Sequence, residues 1–189
     1  MARKFIFILG GARSGKSSFA QGMAAKLGEK VLFVATGKPL DVEMASRIKE
    51  HKRTRPKNWR TLEIDIKVGQ KLKDQIKDAD VVFLDCLTLL VSNILTGETG
   101  GFFSNCEHSE AISEADSQVM AEMEDLIDCI DKHEGDFIMV SNEVGLGLVP
   151  ENRLGRIYRD ILGKSNQLLA QHADEVYFMV SGIPVEIKK

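Results

Sequence analysis

GGARSGKS, at Gly10–Ser17, is the most informative stretch of this 189-residue sequence. It matches G-x-x-x-x-G-K-[ST], the pattern of phosphate-binding loops that join a β-strand to a helix. The context is the required one, because the apolar run Lys4–Leu9 predicts a strand before it and Lys16–Leu27 predicts a helix after it. Glycines let backbone N–H groups turn toward phosphate oxygens, and the helix N-terminus adds a favourable dipole. The stretch therefore predicts a nucleotide phosphate site rather than a glycine-rich turn that binds nothing.

Three side chains are expected beside these phosphates. Lys16 can reach the β- and γ-phosphates, and the Ser17 hydroxyl can hold Mg²⁺. The apolar run Val81–Leu84 ends in Asp85, which fits the carboxylate that lies near Mg²⁺ in such proteins. Many buried strands end in aspartate, so Asp85 is informative only together with the phosphate loop. Ser17 and Asp85 are the predicted metal ligands, and Lys16 is a predicted catalytic residue.

Short β-branched runs alternate with helical patterns along the chain, which predicts βαβ units and a mostly parallel sheet. We expect one domain over residues 1–189, an α/β P-loop NTPase of the RecA-like type with about seven strands flanked by helices. The last two strands are separated by three residues and should form an antiparallel hairpin at the edge. The predicted strands are Lys4–Leu9, Val31–Ala35, Arg60–Ile64, Val81–Leu84, Phe137–Val140, Val176–Val180 and Pro184–Ile187. The predicted helices are Lys16–Leu27, Val42–His51, Val68–Lys77, Ala111–Ile130 and Arg153–His172.

Polar residues follow several of the predicted parallel strands. They are Gly10, Thr36 with Gly37, Asp85, and the group Ser141, Asn142 and Glu143. Ligands of open α/β sheets bind at this carboxyl edge. The stretch Thr96–His108 is rich in Gly, Ser, Thr and acid, and predicts a surface loop.

Composition excludes several classes of protein. With 43% hydrophobic and 28% charged residues, the chain is neither disordered nor fibrous. No apolar run approaches the roughly 18 residues of a membrane helix. The apolar run at the N-terminus is too short for a signal peptide, so we expect a cytoplasmic protein. Three cysteines are too few and too scattered for a disulfide framework or a metal cluster.

The net charge of −3 is unevenly distributed. Glu98–Asp136 holds twelve Asp/Glu and one Lys, whereas Asp41–Arg60 holds seven Lys/Arg and three Asp/Glu. A cationic segment beside an acidic one indicates a local anion site rather than a nucleic-acid surface. The acidic segment is expected to form a solvated face.

His51 lies within the cationic segment. Met44, Ile48 and His51 follow a helical spacing, which predicts that His51 is on the buried-facing side of a short helix. Pro56 should end this helix just past His51. Cations beside the ring favour neutral imidazole, the nucleophilic form. On these grounds alone His51 is either a nucleophile or an ordinary structural histidine.

Taken together, these features resemble a known family. GGARSGKS, the ATG at Ala35–Gly37, the pattern DxEMxxRIxxHKxxRPxxWxTxE at Asp41–Glu63, the strand before Asp85, and NEVG with a following VP are all similar to the bifunctional adenosylcobinamide kinase/adenosylcobinamide-phosphate guanylyltransferase of cobalamin biosynthesis. The C-terminal segment from Arg153 is similar too. The segment around His51 is far more specific than the phosphate loop.

The resemblance implies two reactions. A nucleoside triphosphate, ATP or GTP, phosphorylates the aminopropanol hydroxyl of adenosylcobinamide, and GTP then donates GMP to that phosphate with release of pyrophosphate. It also implies a covalent GMP–histidine intermediate at His51, a homotrimer, and Mg²⁺ with the nucleotide. The nucleotide contacts that it implies are Gly10, Gly11, Ala12, Arg13, Ser14, Gly15, Lys16, Ser17, Ala35, Thr36, Gly37, Lys52, Arg53, Thr54, Arg55, Glu63 and Asp85.

One departure from the family concerns Glu50, where some members have a second histidine. His51 is then the single histidine of its segment, and the Glu50 carboxylate is placed to orient or charge the imidazole. Arg153, Arg156 and Arg159 share a helix face. They either meet the substrate's phosphate or form a solvated basic face that balances the acidic helix, and the latter is favoured.

Two other functions are compatible with a phosphate loop. One is a monofunctional small-molecule kinase, in which His51→Ala would leave turnover intact. The other is a GTP-binding switch that transfers nothing and consumes no nucleotide in response to a corrinoid. A histidine amid cations favours the transferase, because a simple switch has little need for one.

Overall fold

The computed structural model describes residues 3–39, 41–97 and 109–189. The strands are β1 (Phe5–Gly10), β2 (Val31–Ala35), β3 (Arg60–Glu63), β4 (Val81–Asp85), β5 (Asp136–Val140), β6 (Glu175–Val180) and β7 (Ile183–Lys188). The helices are α1 (Lys16–Leu27), α2 (Val42–Thr54), α3 (Val68–Lys73), α4 (Leu87–Thr96), α5 (Ser109–Lys132) and α6 (Arg153–His172).

All seven strands form one sheet in the order β3-β2-β4-β5-β1-β6-β7. The pairings are parallel except for β6 with β7, which is antiparallel. This confirms the predicted mostly parallel sheet with a C-terminal edge hairpin. The register aligns the ends of four strands, since Ala35 pairs with both Glu63 and Asp85, and Asp85 pairs with Val140. The carboxyl ends of β3, β2, β4 and β5 thus lie side by side.

Apolar side chains cover both faces of the sheet. On one face, Val119, Met123 and Leu126 of α5 are fully buried in the larger core cluster. On the other face, Ala20 and Ala24 of α1 pack on the strands in a smaller cluster. Burial on both faces explains why the central strands are continuous apolar runs rather than alternating ones.

Helix α4 is missing from the sequence prediction. Its residues Leu87, Leu90, Val91 and Leu95 are all buried, and so is Asn93. A helix buried on most of its sides has no polar stripe, so its periodicity does not distinguish it from other apolar segments. The indication of α4 in the sequence was its strong apolar run.

Helix α2 extends farther than predicted. It ends at Thr54, with Arg55 as an extended C-cap residue, because the residue before Pro56 avoids helical geometry. None of its residues is buried. Met44 and Ile48 are half-buried on the sheet side, whereas the side chain of His51 is 54% exposed. The predicted helical face is therefore present, but His51 lies in solvent-accessible space rather than in the core.

Three other predictions concern membrane helices, the loop Thr96–His108 and helix α3. Within residues 3–39, 41–97 and 109–189, no helix is long and apolar enough to cross a bilayer. The predicted surface loop Thr96–His108 lies, beyond Gly97, outside the described residues. Helix α3 is four residues shorter than predicted, and Lys77 beyond it has a positive φ of 52°.

Candidate active site

Two glycines give the phosphate loop its shape. Gly10 ends β1 with φ of 150°, and a Cβ there would lie 2.7 Å from the carbonyl oxygen of Met179. Gly15 precedes α1 with φ of 94°, and its Cβ would lie 3.2 Å from Cα of Gly182. Both positions combine a positive φ with a close backbone approach, so a side chain would deform the loop. Between them, Ala12 and Arg13 are exposed.

Lys16 points back into this loop. Its Nζ donates hydrogen bonds to the carbonyl oxygen of Gly11 at 2.5 Å and to Oγ of Ser14 at 3.4 Å. The residue is 7% exposed, and its burial lowers the pKa of the ammonium group. The ammonium group thus lies in the concave side of the loop, where it can contact the β- and γ-phosphates.

Asp85 and Ser17 form the part of the site that suits a metal ion. The Asp85 side chain is 11% exposed and accepts a hydrogen bond from Ser17. Its Oδ2 is buried and has no hydrogen-bond partner within the described residues. Burial raises the pKa of this carboxyl group. A hydroxyl beside a carboxylate with an unsatisfied oxygen is a donor set that fits Mg²⁺.

His51 lies near the same carboxylate. Its Nδ1 lies 3.8 Å from Oδ2 of Asp85, which is too long for a hydrogen bond but places the imidazole beside Asp85. Two elements hold this approach. Ile48 lies beside Gly37, where its Cδ1 would be 3.5 Å from a Cβ at that position, and Nε2 of Gln21 donates a hydrogen bond to the carbonyl oxygen of Thr54.

A cavity of about 130 Å³ lies between α1, α2 and the ends of β2 and β4. It contains predicted site residues from three separate stretches of the sequence, together with residues that the sequence did not single out. The lining residues are Ser17, Ser18, Gln21, Phe33, Glu50, His51, Thr54, Arg55, Phe83 and Asp85.

Arg55 is the one cation of its segment that this cavity includes. Its guanidinium carbon lies 3.5 Å from the centre of the Phe33 ring, and Nη1 donates a hydrogen bond to Thr61 at 2.8 Å. Its Nε is buried without a partner in the described chain. Burial lowers the pKa of Arg55, but a guanidinium remains protonated at neutral pH. An unpartnered charged donor at this position is ready to bind an anion.

The neighbouring cations do not converge on His51. Lys52 pairs with Glu63 at 2.5 Å, and Arg53 makes two hydrogen bonds to Glu50. The hydrogen bonds from Arg53 lower the pKa of Glu50, so this carboxylate is engaged by Arg53 rather than by the imidazole. Lys52 and Glu63 extend the site toward the β3 edge, where they form an exposed polar pair.

The segment Ala35–Gly37 offers backbone groups rather than side chains. Thr36 is fully buried, and its hydroxyl is bonded to both the N–H and the carbonyl oxygen of Cys86. Any nucleotide contact here must be made by main-chain atoms.

The arginines of α6 also have local partners. Nη1 of Arg156 donates to the carbonyl oxygens of Pro150 and Glu151, and Arg159 lies 3.7 Å from Asp160. The contacts of Arg156 stabilise the turn before α6, whereas that of Arg159 lies within the helix. Nothing in them favours a role in binding the substrate.

Sequence analysis missed four residues that line the cavity: Ser18, Gln21, Phe33 and Phe83. Phe33 lies in an apolar strand and looks like any core residue in sequence. Gln21 lies on α1 without a motif of its own. The only indication of Phe33 in the sequence was that it lies two residues before Ala35. Side chains at this spacing share one face of a strand, here the face toward the cavity.

The sequence matches the family described as cobinamide kinase / cobinamide phosphate guanyltransferase over residues 6–187. This chain belongs to that family. It is 40% identical to the bifunctional adenosylcobalamin biosynthesis protein CobU of Escherichia coli over 183 residues, which is 97% of this chain and 99% of that protein. It is 38% identical to the bifunctional adenosylcobalamin biosynthesis protein CobP of Pseudomonas aeruginosa over 181 residues, covering 96% and 95% of the two chains.

A solved structure supports the fold of this cobinamide kinase / cobinamide phosphate guanyltransferase family member. The flagellar accessory protein FlaH from Methanocaldococcus jannaschii superposes with a TM-score of 0.53 at 12% identity, covering 99% of this chain and 79% of that one. At this identity the likeness concerns the fold alone. The function of this chain is therefore inferred from its family membership and from the geometry of the site.

Proposed function

We propose that this chain phosphorylates the aminopropanol hydroxyl of adenosylcobinamide with ATP or GTP and then transfers GMP from GTP to the resulting phosphate. The products of the second step are adenosylcobinamide-GDP and pyrophosphate. One domain carries both reactions in this proposal. The observation that supports it is the position of His51, whose Nδ1 lies 3.8 Å from Asp85 beside the phosphate loop.

His51 is the proposed nucleophile of the guanylyl transfer. A ring nitrogen attacks the α-phosphorus, a P–N bond forms, and the bond between the α-phosphorus and the bridging oxygen breaks. The electron pair leaves with pyrophosphate. Because Nδ1 faces Asp85, Nε2 is the nitrogen that we expect to attack. In the second displacement an oxygen of the acceptor phosphate attacks the same phosphorus and the P–N bond breaks, so one difficult transfer becomes two easier ones.

Arg55 and Lys16 would act on the charge that develops during this transfer. Arg55 presents an unpartnered donor inside the cavity that contains His51, so it is placed to bind a phosphate oxygen. Lys16 is placed to contact the β- and γ-phosphates that leave. Ser17 and Asp85 would hold Mg²⁺, which would offset the negative charge of the phosphates. Lys52, Arg53, Thr54 and Glu63 are proposed nucleotide contacts at the outer end of the site.

The test uses GTP labelled at the α-phosphate, with Mg²⁺ and without corrinoid. Wild-type protein should retain acid-labile, base-stable label after denaturation, and His51→Ala should retain none. His172→Ala is the matched control, because His172 pairs with Asp131 on the surface and is far from the site residues in the sequence. GTP labelled at the γ-phosphate should leave no label on any variant.

Absence of α-label on wild-type protein that still binds GTP would exclude the covalent mechanism. A plain kinase or a GTP-binding switch would then fit better. Label on His51→Ala would assign the nucleophile to another residue.

A homotrimer is part of the proposal, and exposed apolar side chains support an assembly. Ile183, Val185 and Ile187 alternate along β7 and are 48–66% exposed. Leu148, in the loop before α6, is 96% exposed. Contiguous apolar surface of this kind favours contact with another chain. Light scattering should give three times the 21.0 kDa chain mass; a monomer at micromolar concentration would exclude the trimer. We expect this enzyme in the cytoplasm, where both nucleotides are available.

A further inference from the structure

The two proposed reactions place different demands on proton transfer. The acceptor of GMP is a phosphate, which is already an anion and has no proton to lose at the attacking oxygen. The acceptor of the γ-phosphoryl group is a hydroxyl, which must lose its proton during the transfer. A carboxylate within hydrogen-bond reach of that hydroxyl can accept the proton, as the catalytic aspartate of protein kinases does. The kinase half of the proposed function therefore requires a base that the guanylyl transfer does not.

The γ-phosphate end of the site can be located from the loop itself. Nζ of Lys16, the group that contacts the β- and γ-phosphates, lies at the carbonyl oxygen of Gly11. The preceding residue, Gly10, accepts a hydrogen bond at 3.1 Å from the backbone N–H of Glu143. Lys16 and Glu143 are thus anchored to adjacent residues of the same loop. Glu143 lies at the end of β5, the strand between β4 and β1.

The segment that carries Glu143 is held in place on both sides. The N–H of Ser141 donates to Ile8 at 3.0 Å, which continues the ladder toward β1. The N–H of Asn142 donates to Oγ1 of Thr88 at 2.7 Å, and Asn166 donates to the carbonyl oxygen of Asn142 at 3.1 Å. A fully bonded segment of this kind fixes the position of the next side chain before substrate arrives.

The carboxylate of Glu143 is oriented by its own loop. Oε1 accepts a hydrogen bond from the N–H of Gly145 at 2.7 Å. In the described part of the chain Oε2 takes no hydrogen bond or ion pair, and the residue is half-buried. One oxygen is therefore fixed to the backbone and the other can meet a ligand.

The other carboxylates at this edge are already engaged. Asp85 accepts from Ser17 and is assigned to the metal ion. Glu63 pairs with Lys52 and lies on β3, four strands away from β1. Glu50 is bound by Arg53.

We propose that Glu143 is the general base of the phosphoryl transfer, an inference that rests on the kinase half of the proposed function. The acceptor hydroxyl oxygen attacks the γ-phosphorus and a new P–O bond forms. The hydroxyl proton moves to Oε2 of Glu143. The bond from the γ-phosphorus to the bridging oxygen breaks, and its electron pair leaves on the β-phosphate of the nucleoside diphosphate.

The experiment compares Glu143→Gln with wild-type protein in two assays. Transfer of γ-label from ATP or GTP to adenosylcobinamide should fall by about 10²–10⁴-fold, the usual loss for a missing general base. Labelling of His51 by α-labelled GTP should change less than about threefold, because that step removes no hydroxyl proton. The control is Glu151→Gln, an exposed acid of the same loop, which should leave both rates near those of wild type.

Three results would overturn the inference. The first is a γ-transfer rate of Glu143→Gln within about threefold of wild type. The second is a parallel fall in both assays, which would assign Glu143 to binding metal or shaping the loop. The third is a wild-type protein that labels His51 but phosphorylates no corrinoid, which would remove the kinase half of the proposed function and this base with it. A thermal melt of each variant identifies loss of folding.

Discussion

Replacing Arg55 by lysine tests whether its guanidinium stabilises charge during guanylyl transfer. Lysine keeps the positive charge but loses the buried Nε donor and the planar contact with Phe33, 3.5 Å away. A hydrogen bond to a charged group contributes about 1.5–3 kcal/mol. Since about 1.4 kcal/mol is a tenfold change in rate, the rate of His51 labelling should fall about 10- to 150-fold.

Rapid-quench incorporation of α-label from saturating GTP measures this rate in a single turnover. Phe33→Leu separates stacking from charge, because it removes the ring and keeps the arginine; its loss should be about 1–2 kcal/mol, since this cation–π contact is partly buried. Lys49→Gln is the control for an exposed cation of α2 that does not line the cavity. Labelling of Arg55→Lys within threefold of wild type would refute the role given to the guanidinium.

The remaining predictions concern folding stability. Glu122→Ala should lower the melting temperature by about 4–16 °C, because its carboxylate accepts a part-buried hydrogen bond from the N–H of Lys67 and a buried one from the N–H of Gly69 at the start of α3. Leaving these two donors without a partner should lower the free energy of unfolding by about 2–4 kcal/mol. Glu122→Gln retains an acceptor and should melt closer to wild type; equal melting of the two variants in calorimetry would contradict this. Burial lowers the pKa of His133 below its ordinary 6.5, so its contribution to stability is complete above that pH and is lost as the pH falls through the lower folded pKa. Denaturant titrations of wild type and His133→Gln from pH 8 to pH 5 should converge toward acid, and a constant difference would exclude the linkage.

Much of the fold was predictable because its signals are local. A strand, GGARSGKS and a helix follow one another within Lys4–Leu27, and the structure places β1 and α1 there within a residue. Only Ser181 and Gly182 separate β6 from β7, against three residues between the predicted strands, and so short a connection favours a hairpin. Helix α4 was not predictable in the same way, because a segment buried on most sides carries no amphipathic pattern.

The site was only partly predictable, because its geometry depends on long-range contacts. The motif around His51 identified the residue. Its exposure and its distance to Asp85, however, depend on the packing of α2 beside Gly37 and on the hydrogen bond from Gln21 to α2. The charge pattern suggested that several cations act together on His51. The Arg53–Glu50 pair has the i, i+3 spacing of helical ion pairs and was predictable from the sequence. The Lys52–Glu63 pair joins α2 to β3, so it depends on the tertiary fold and was not predictable from spacing.

The strand order places the residues proposed for the two reactions at different positions along one bound triphosphate. The cavity with His51 includes Ser17 and opens beside β2 and β4, next to the loop residues whose N–H groups would hold the α- and β-phosphates of a bound nucleotide. Glu143 lies on the other side, at the junction of β5 and β1 near Gly10. A nucleotide bound in one orientation then presents its α-phosphorus to one side and its γ-phosphorus to the other. The protein can keep one phosphate cradle for both steps, whereas the corrinoid must change its position relative to the nucleotide between phosphorylation and guanylylation.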